Sequence, residues 1–310
     1  MILLYHRILR NAGEDPYFPH GVVSLGEFEE QIHFLRRQFE VVSLEEGFRL
    51  LRKKKKNTNR FVSVTFDDGW YDVWQNGAPL LVHLKIPAAF FLTTRFLDED
   101  EVPWWERLYF LVNQPWAGKW KEKLGRKLRL ASVEKNIFWN LFQKLKTVPD
   151  PERKRLLAID RLKTPDKIKF GNGRLFMNWK EAQELARVPY FTIGAHGLTH
   201  ERLSALRPRE VFYEERGSKQ ILEGKLARKV DFFAYPFGFR GDINQVAIRG
   251  CRSAGFRAAF TAESGINSQR TPHFRLRRIP IGSGLKEKLF QAIVCHPETF
   301  LSWAKSVRWP

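Results

Sequence analysis

Two carboxylates stand side by side at Asp67-Asp68, after the β-prone run 61–66 and before Gly69. At the C-terminal end of a strand, neighbouring side chains point in different directions. One acid can then bind a metal while the other accepts a proton from water. A turn with two solvated acids would use the same residues. His196 and His200 lie four apart after another predicted strand and can converge on one ion. Alone, they read equally as unrelated loop histidines. Together with one Asp they match the three protein ligands of an open hydrolytic zinc site, and the second Asp supplies a base. A third run, Ala234-Tyr235-Pro236-Phe237-Gly238, also follows a strand. Its tight turn either ends the strand or aims a backbone N–H at an oxyanion. His6 follows the first apolar run, and in a barrel it could point into the same mouth.

The elements that must position these residues read as alternating strands and helices. Residues 2–5, 39–42, 61–66, 88–92, 191–195, 232–235, 258–261 and 275–281 read as strands. Ser24 and Glu27 form a capping-box pattern before Phe28, Ile32 and Leu35 at helical spacing. Ser43 and Asn178 read as further caps, and helices are predicted at 44–51, 76–84, 178–187, 208–227 and 242–253, with a C-terminal helical segment. Such alternation predicts a parallel sheet with crossover helices, an α/β fold whose sites sit at the strands' C-terminal ends.

Between about 98 and 175 the alternation breaks into a Trp-rich, basic, mostly helical stretch. Residues 116–170 carry 16 Lys/Arg against 6 Asp/Glu, more than half of the chain's net charge of +19. The stretch reads as an insertion within one domain spanning 1–310, because it is short for an independent core. A composition of 43% hydrophobic and 28% charged residues excludes disorder as the main state. Two cysteines exclude a disulfide framework. No apolar run approaches the roughly 18 residues that span a bilayer. No leader is evident, so an unexported protein is the default expectation.

These residues, in this order, resemble the polysaccharide deacetylase family, the NodB-homology domain of carbohydrate esterase family 4. Thr65-Phe66-Asp67-Asp68-Gly69 matches its first motif and His196-Gly197-Leu198-Thr199-His200 its second, with Gly197 where Ser or Thr is usual. The run 233–238 matches the third. The resemblance covers roughly 1–96 and 176–283. It implies a distorted (β/α) barrel with Asp67 as general base. Asp68, His196 and His200 would hold a divalent metal, most often zinc. Tyr235, Pro236 and Phe237 would form the substrate and oxyanion turn.

The family's C-terminal His-Asp motif is missing; the nearest residue is His296, followed by Pro297. Leu3-Leu4-Tyr5-His6-Arg7-Ile8 instead resembles the circularly permuted members that act on poly-N-acetylglucosamine. That assigns the acid to His6, with His296 as the alternative. Ala234 stands where many members carry an Arg that orients the base, and the Asp-x-Asp-Trp motif that accompanies it is absent around Phe260-Thr261-Ala262-Glu263.

The implied activity is metal-dependent removal of N-acetyl groups from amino sugars of a polysaccharide or lipid-linked precursor. Hydrolysis of another acyl bond, an O-acetyl ester or small amide, and a non-catalytic glycan binder are the alternatives. Trp104, Trp105, Trp116 and Trp120 among the cations suggest peripheral contact with anionic lipid or a sugar chain. The expected location is cytoplasmic, at the inner membrane face. No nucleic acid partner is expected, since no aromatic-basic RNA motif or helix-turn-helix accompanies the charge.

Overall fold

The structure, a computed structural model, describes residues 1–11, 21–52, 61–98, 102–130, 136–158, 174–282 and 285–299. The lysine run at 53–56 and most of the turn-rich stretch 11–21 lie outside them. The described residues divide into two compact units: 102–175 form one, and the remainder, 1–98 and 176–299, the other.

The strands are β1 Ile2–Tyr5, β2 Arg7–Leu9, β3 Val22–Ser24, β4 Glu40–Val41, β5 Phe61–Phe66, β6 Ala88–Leu92, β7 Phe191–Ala195, β8 Phe232–Ala234, β9 Ala258–Phe260 and β10 Ile279–Pro280. The helices of the larger unit begin with α1 Leu25–Gln38, α2 Leu44–Arg52, α3 Ala78–His83 and α4 Thr94–Asp98. The smaller unit holds α5 Trp104–Val112, α6 Gly118–Lys127, α7 Ile137–Leu145 and α8 Asp150–Leu157. The larger unit resumes with α9 Trp179–Arg187, α10 Pro208–Phe212, α11 Ser218–Leu226, α12 Gln245–Ser253 and α13 Glu287–Cys295.

The principal sheet runs β10-β1-β5-β6-β7-β8-β9, all parallel, with β4 beside β5. The continuous apolar run of β6 is buried at every residue, as a parallel strand covered on both faces requires. Ala89 and Phe91, Phe232 and Ala234, and Ala258 and Phe260 are each two apart, so each pair shares a face. They gather with Leu44, Phe48 and Leu276 in one core cluster. Register aligns the strand ends: Tyr5 faces Phe66, Leu92 faces Ala195, and Ala234 faces Phe260. Residues just past those positions therefore emerge together at one mouth.

The strand expected over 275–281 is split. Leu276 pairs with Phe260 at the edge of β9, whereas Ile279 and Pro280 pair with Leu3 and Leu4 of β1. One segment thus passes from one edge of the sheet to the other and closes the distorted (β/α) barrel. The expected capping box of Ser24 with Glu27 is present, and Asn178, expected as a cap, forms a second box with Glu181. Two local readings change. The strand expected at 39–42 is only Glu40–Val41, and the helix expected over 208–227 contains a π-helical bulge at Tyr213–Gly217. The two-stranded β2–β3 ladder went unread because its partners flank the turn-rich segment.

In the smaller unit Trp105, Leu108, Leu111, Leu124, Leu141 and Leu145 are buried. Trp104 stacks on Phe142 at 5.1 Å, and the buried Arg153 lies 5.1 Å above the Trp104 ring. This corrects the expectation of four surface tryptophans: Trp105 belongs to the core, and only Trp116, 39% exposed, stands clearly outside.

Candidate active site

The mouth of the barrel is built where the backbone turns sharply. Asp68, His200 and Phe237 all have positive φ, at 75°, 60° and 60°. Such conformations cost about 1–3 kcal/mol each and persist where the surroundings over-determine them. Asp67 leaves β5 with its N–H bonded to Tyr5 O at 3.1 Å. The turn at Asp68 then sends the two carboxylates to different partners.

Asp68 Oδ1 lies 3.3 Å from His196 Nε2 and 3.2 Å from His200 Nε2, and all three residues are buried. The three ligand atoms fall within 4.8 Å of one another. Oδ1 accepts no hydrogen bond from the described residues, while Oδ2 accepts one from Trp70 Nε1 at 2.8 Å. His196 Nδ1 donates to Ala234 O at 2.8 Å, which leaves the Nε2 lone pair facing Asp68. A buried carboxylate oxygen without a donor, between two imidazole nitrogens, is a donor set that fits a divalent cation of the zinc type. Burial disfavours charge on His196, yet Asp67 and Asp68 hold its pKa above the ordinary value. The field that favours a proton there favours a metal cation equally. At His200 burial prevails and the pKa is lowered, so the ring is neutral and able to ligate.

Asp67 takes the other direction. Arg278 grips it with Nη1 to Oδ1 and Nη2 to Oδ2, both at 2.6 Å, and both residues are buried. Burial pushes the carboxyl up, but the Arg278 guanidinium, helped by His196, outweighs it and keeps Asp67 below the usual carboxylate range. Asp67 is therefore ionised at neutral pH, ready to accept a proton. Arg278 is itself held by a 2.9 Å bond from Nε to Thr261 O. The arginine absent at Ala234 is thus supplied by the closing segment. Its signal in the sequence was a charged pair, Arg277-Arg278, inside a run read as a strand; a charge buried in such a strand needs a partner.

His6 follows β1, and the Tyr5–Phe66 pairing brings it out beside Asp67. Gly21 backs its ring: a Cβ there would stand 3.1 Å from His6 Nδ1. The next residue, Arg7, binds Asp72 at 2.8 Å and lies 4.7 Å over the Trp70 ring. The chain around His6 is thereby tied to the indole that holds Asp68, a second contact the motifs do not announce. His296 lies elsewhere. It follows α13 and lines a cavity with Ile2, Phe61 and Ser63, residues at the starts of β1 and β5, at the opposite end of the strands.

Of the three oxyanion-turn residues, Pro236 has no N–H. Tyr235 donates its N–H to Phe260 O and its hydroxyl to Phe274 O. The Phe237 ring lies 4.7 Å from that of His200.

With this geometry in hand, three kinds of likeness agree. The family described as polysaccharide deacetylase matches residues 54–259. YxkH of Bacillus subtilis (strain 168), which its own name places in that family, is 20% identical over 294 residues, 94% of this chain and 75% of that protein. The poly-β-1,6-N-acetyl-D-glucosamine N-deacetylase of Staphylococcus aureus (strain MSSA476) is 35% identical over 79 residues, 25% of this chain and only 27% of that enzyme. Among solved structures, the Streptococcus pyogenes deacetylase PplD in complex with acetate superimposes with a TM-score of 0.62 at 17% identity, covering 94% of this chain and 95% of that one. IcaB from Ammonifex degensii gives 0.60 at 18% identity, covering 95% of both. At these identities the two structures speak to the fold, a (β/α) barrel.

Proposed function

The chain belongs to the polysaccharide deacetylase family, and from that premise we propose that it removes N-acetyl groups from amino sugars of a polysaccharide or lipid-linked glycan, with zinc held by Asp68, His196 and His200. The observation that carries this reading is the pairing of an ionised Asp67, pinned by Arg278, with a buried ligand set whose Asp68 oxygen has no donor. Zinc held there acts as a Lewis acid toward the acyl oxygen and makes water a better nucleophile at neutral pH. Asp67 takes the proton from the water that attacks the acyl carbon. Arg278 holds both carboxylate oxygens, so the base keeps its charge and orientation. The backbone N–H at Phe237 faces the charge developing on the carbonyl oxygen. His6 gives a proton to the amine nitrogen as the C–N bond breaks, and acetate and a free amino sugar leave.

The test is acetate release from β-1,6-linked N-acetylglucosamine oligomers, beside an O-acetylated oligomer. Release from the N-acetyl substrate that stops on chelation and returns with zinc is expected. Hydrolysis confined to the O-acetyl ester would overturn the N-deacetylase reading in favour of an esterase. Sugar binding without turnover would overturn it in favour of a binder.

The finer part concerns where the substrate is met. Lys119, Lys123, Arg126 and Lys127 of α6 are exposed and share one face at 100° per residue, next to the exposed Trp116. We propose that this face meets anionic headgroups at the inner membrane surface, where each cation contributes about 1 kcal/mol. Among the described residues no helix is long and apolar enough to cross a membrane, so the contact would be peripheral. Flotation with phosphatidylglycerol vesicles at low salt, lost when all four residues become Gln, is expected. Flotation that survives the substitution would contradict this role for α6.

A further inference from the structure

The proposed chemistry gives no task to Glu214, although it is buried at 5% exposure beside the loop that carries both histidine ligands. We propose that Glu214 is a positioning residue for the metal centre: its carboxylate clamps loop 196–200 and thereby sets where the two imidazoles stand. The proposal rests on the reading of Asp68, His196 and His200 as metal ligands.

Buried N–H and C=O groups must find partners, and the loop's backbone finds them on two sides. The carbonyls are taken from the β6 side. His196 O accepts from Thr93 Oγ1 at 3.2 Å, Gly197 O from the Thr94 N–H at 3.3 Å, and Leu198 O from the Arg95 N–H at 2.9 Å. His196 N–H donates to Leu92 O at 2.9 Å. Two further N–H groups and one hydroxyl converge on one carboxylate. Leu198 N–H and Thr199 N–H reach Glu214 Oε2 at 2.8 and 3.0 Å, and Thr199 Oγ1 reaches Oε1 at 2.6 Å. The loop is therefore fixed on both sides immediately before His200, whose backbone is held at φ 60°.

The sequence is cut to fit this contact. Gly197 has φ 79°, and a Cβ there would stand 2.9 Å from Glu214 Oε2. The carboxylate fills the space that a Ser or Thr side chain would claim in the more usual form of the motif. On the other partner, a Cβ at Gly217 would stand 2.9 Å from Leu198 Cδ1, so helix and loop approach closely. The π-helical bulge spans Tyr213–Gly217 and contains both Glu214 and Glu215, which turn inward together despite adjacent positions. Bulges of this kind concentrate at functional sites because they re-aim side chains. Glu215 faces Cys251 Sγ at 3.3 Å, away from the loop. The bulge thus separates a loop clamp from a core contact one residue apart.

The test reads zinc affinity of the full chain by competition with a chromophoric chelator. Glu214→Ala is expected to lose about 10–100-fold in affinity, the usual cost of removing a group that orients metal ligands. Glu214→Gln keeps an acceptor for both N–H groups and is expected to restore most of the affinity. Glu215→Gln, equally buried, is expected to bind zinc as the wild type does. Should Glu214→Ala fail to fold, Thr199→Val, which removes only the hydroxyl bond, is expected to show a several-fold loss. Wild-type affinity in Glu214→Ala, or in Thr199→Val where that variant stands in, would overturn the clamp. So would equal losses in Glu214→Ala and Glu215→Gln, which would mark general destabilisation. A wild type that binds no zinc, or a His200→Ala variant that binds it as well, would instead bring down the metal-site reading itself.

Discussion

The two ends of the same strands differ sharply. At their C-terminal ends the barrel buries Asp67, Asp68, His196, His200 and Arg278, and holds three non-glycine residues at positive φ. At their N-terminal ends it forms a cavity of about 270 Å³ lined by apolar residues such as Ile2, Leu44, Phe48, Leu51 and Val294, with Asn267, His296 and Glu298 beside them. Burying charge costs several kcal/mol per ion unless partners repay it, and apolar replacements are often as stable. The first end therefore carries groups that packing alone does not demand. The second shows what these strands do where nothing but burial is asked of them. The cost of what is buried is the better guide to chemistry here.

That contrast can be broken by substitutions at either end. The largest effect is expected from Asp67→Asn, which keeps shape but removes the proton acceptor. Acetate release should fall about 10²–10⁴-fold, while zinc titration still shows one bound ion. Next is Arg278→Met, which strands a buried carboxylate. Stability by urea denaturation should drop about 3–5 kcal/mol. The pH–rate profile gives the sign: with Arg278, Asp67 is held below the ordinary range, so activity persists into acid. Without it burial meets less opposition, the carboxyl pKa rises, and the acid limb moves up toward neutrality. The matching stability from the Asp67–Arg278 pair in the wild type is present above the unfolded carboxyl pKa and lost as pH falls through the folded one.

At the opposite end, Leu44→Ala enlarges an existing void. It should cost about 2–5 kcal/mol in stability, yet leave kcat and KM unchanged at temperatures where the variant is folded. A fall in kcat there would dissolve the distinction between the ends. The smallest effect is expected from Glu215→Gln. Burial pushes the Glu215 carboxyl up to about 9. A carboxyl whose folded pKa is raised loses stability as pH climbs from its unfolded value to its folded one. The Gln variant mimics the neutral acid and should gain slightly on the wild type as pH climbs through that window, measured as urea midpoints from pH 5 to 8.

Much of this was legible beforehand. A strand such as β6, apolar throughout, and a motif such as Asp67-Asp68-Gly69 at a strand end are local patterns, and parallel register then carries them to one mouth. Arg278 was not legible because its meaning is non-local. It lies 211 residues from Asp67, on a segment whose pairing switches between β9 and β1. Read as one uniform strand, that segment offers no reason for the arginine to face inward. Glu214 escaped for a related reason: helical periodicity assigns a face at 100° per residue, and the bulge at Tyr213–Gly217 shifts it. Trp105 misled in the opposite direction, since a tryptophan among lysines looks like surface until the helices around it are seen to form a core.

The most direct measurement is diffraction from zinc-soaked crystals on both sides of the zinc absorption edge. One anomalous peak is expected, bonded to Asp68 Oδ1, His196 Nε2 and His200 Nε2, with Asp67 still gripped by Arg278 and left outside the ligand set. A peak that draws Asp67 in as a ligand and releases Arg278, or soaked crystals with no peak at this mouth, would contradict the division of labour between the two carboxylates on which the whole reading stands.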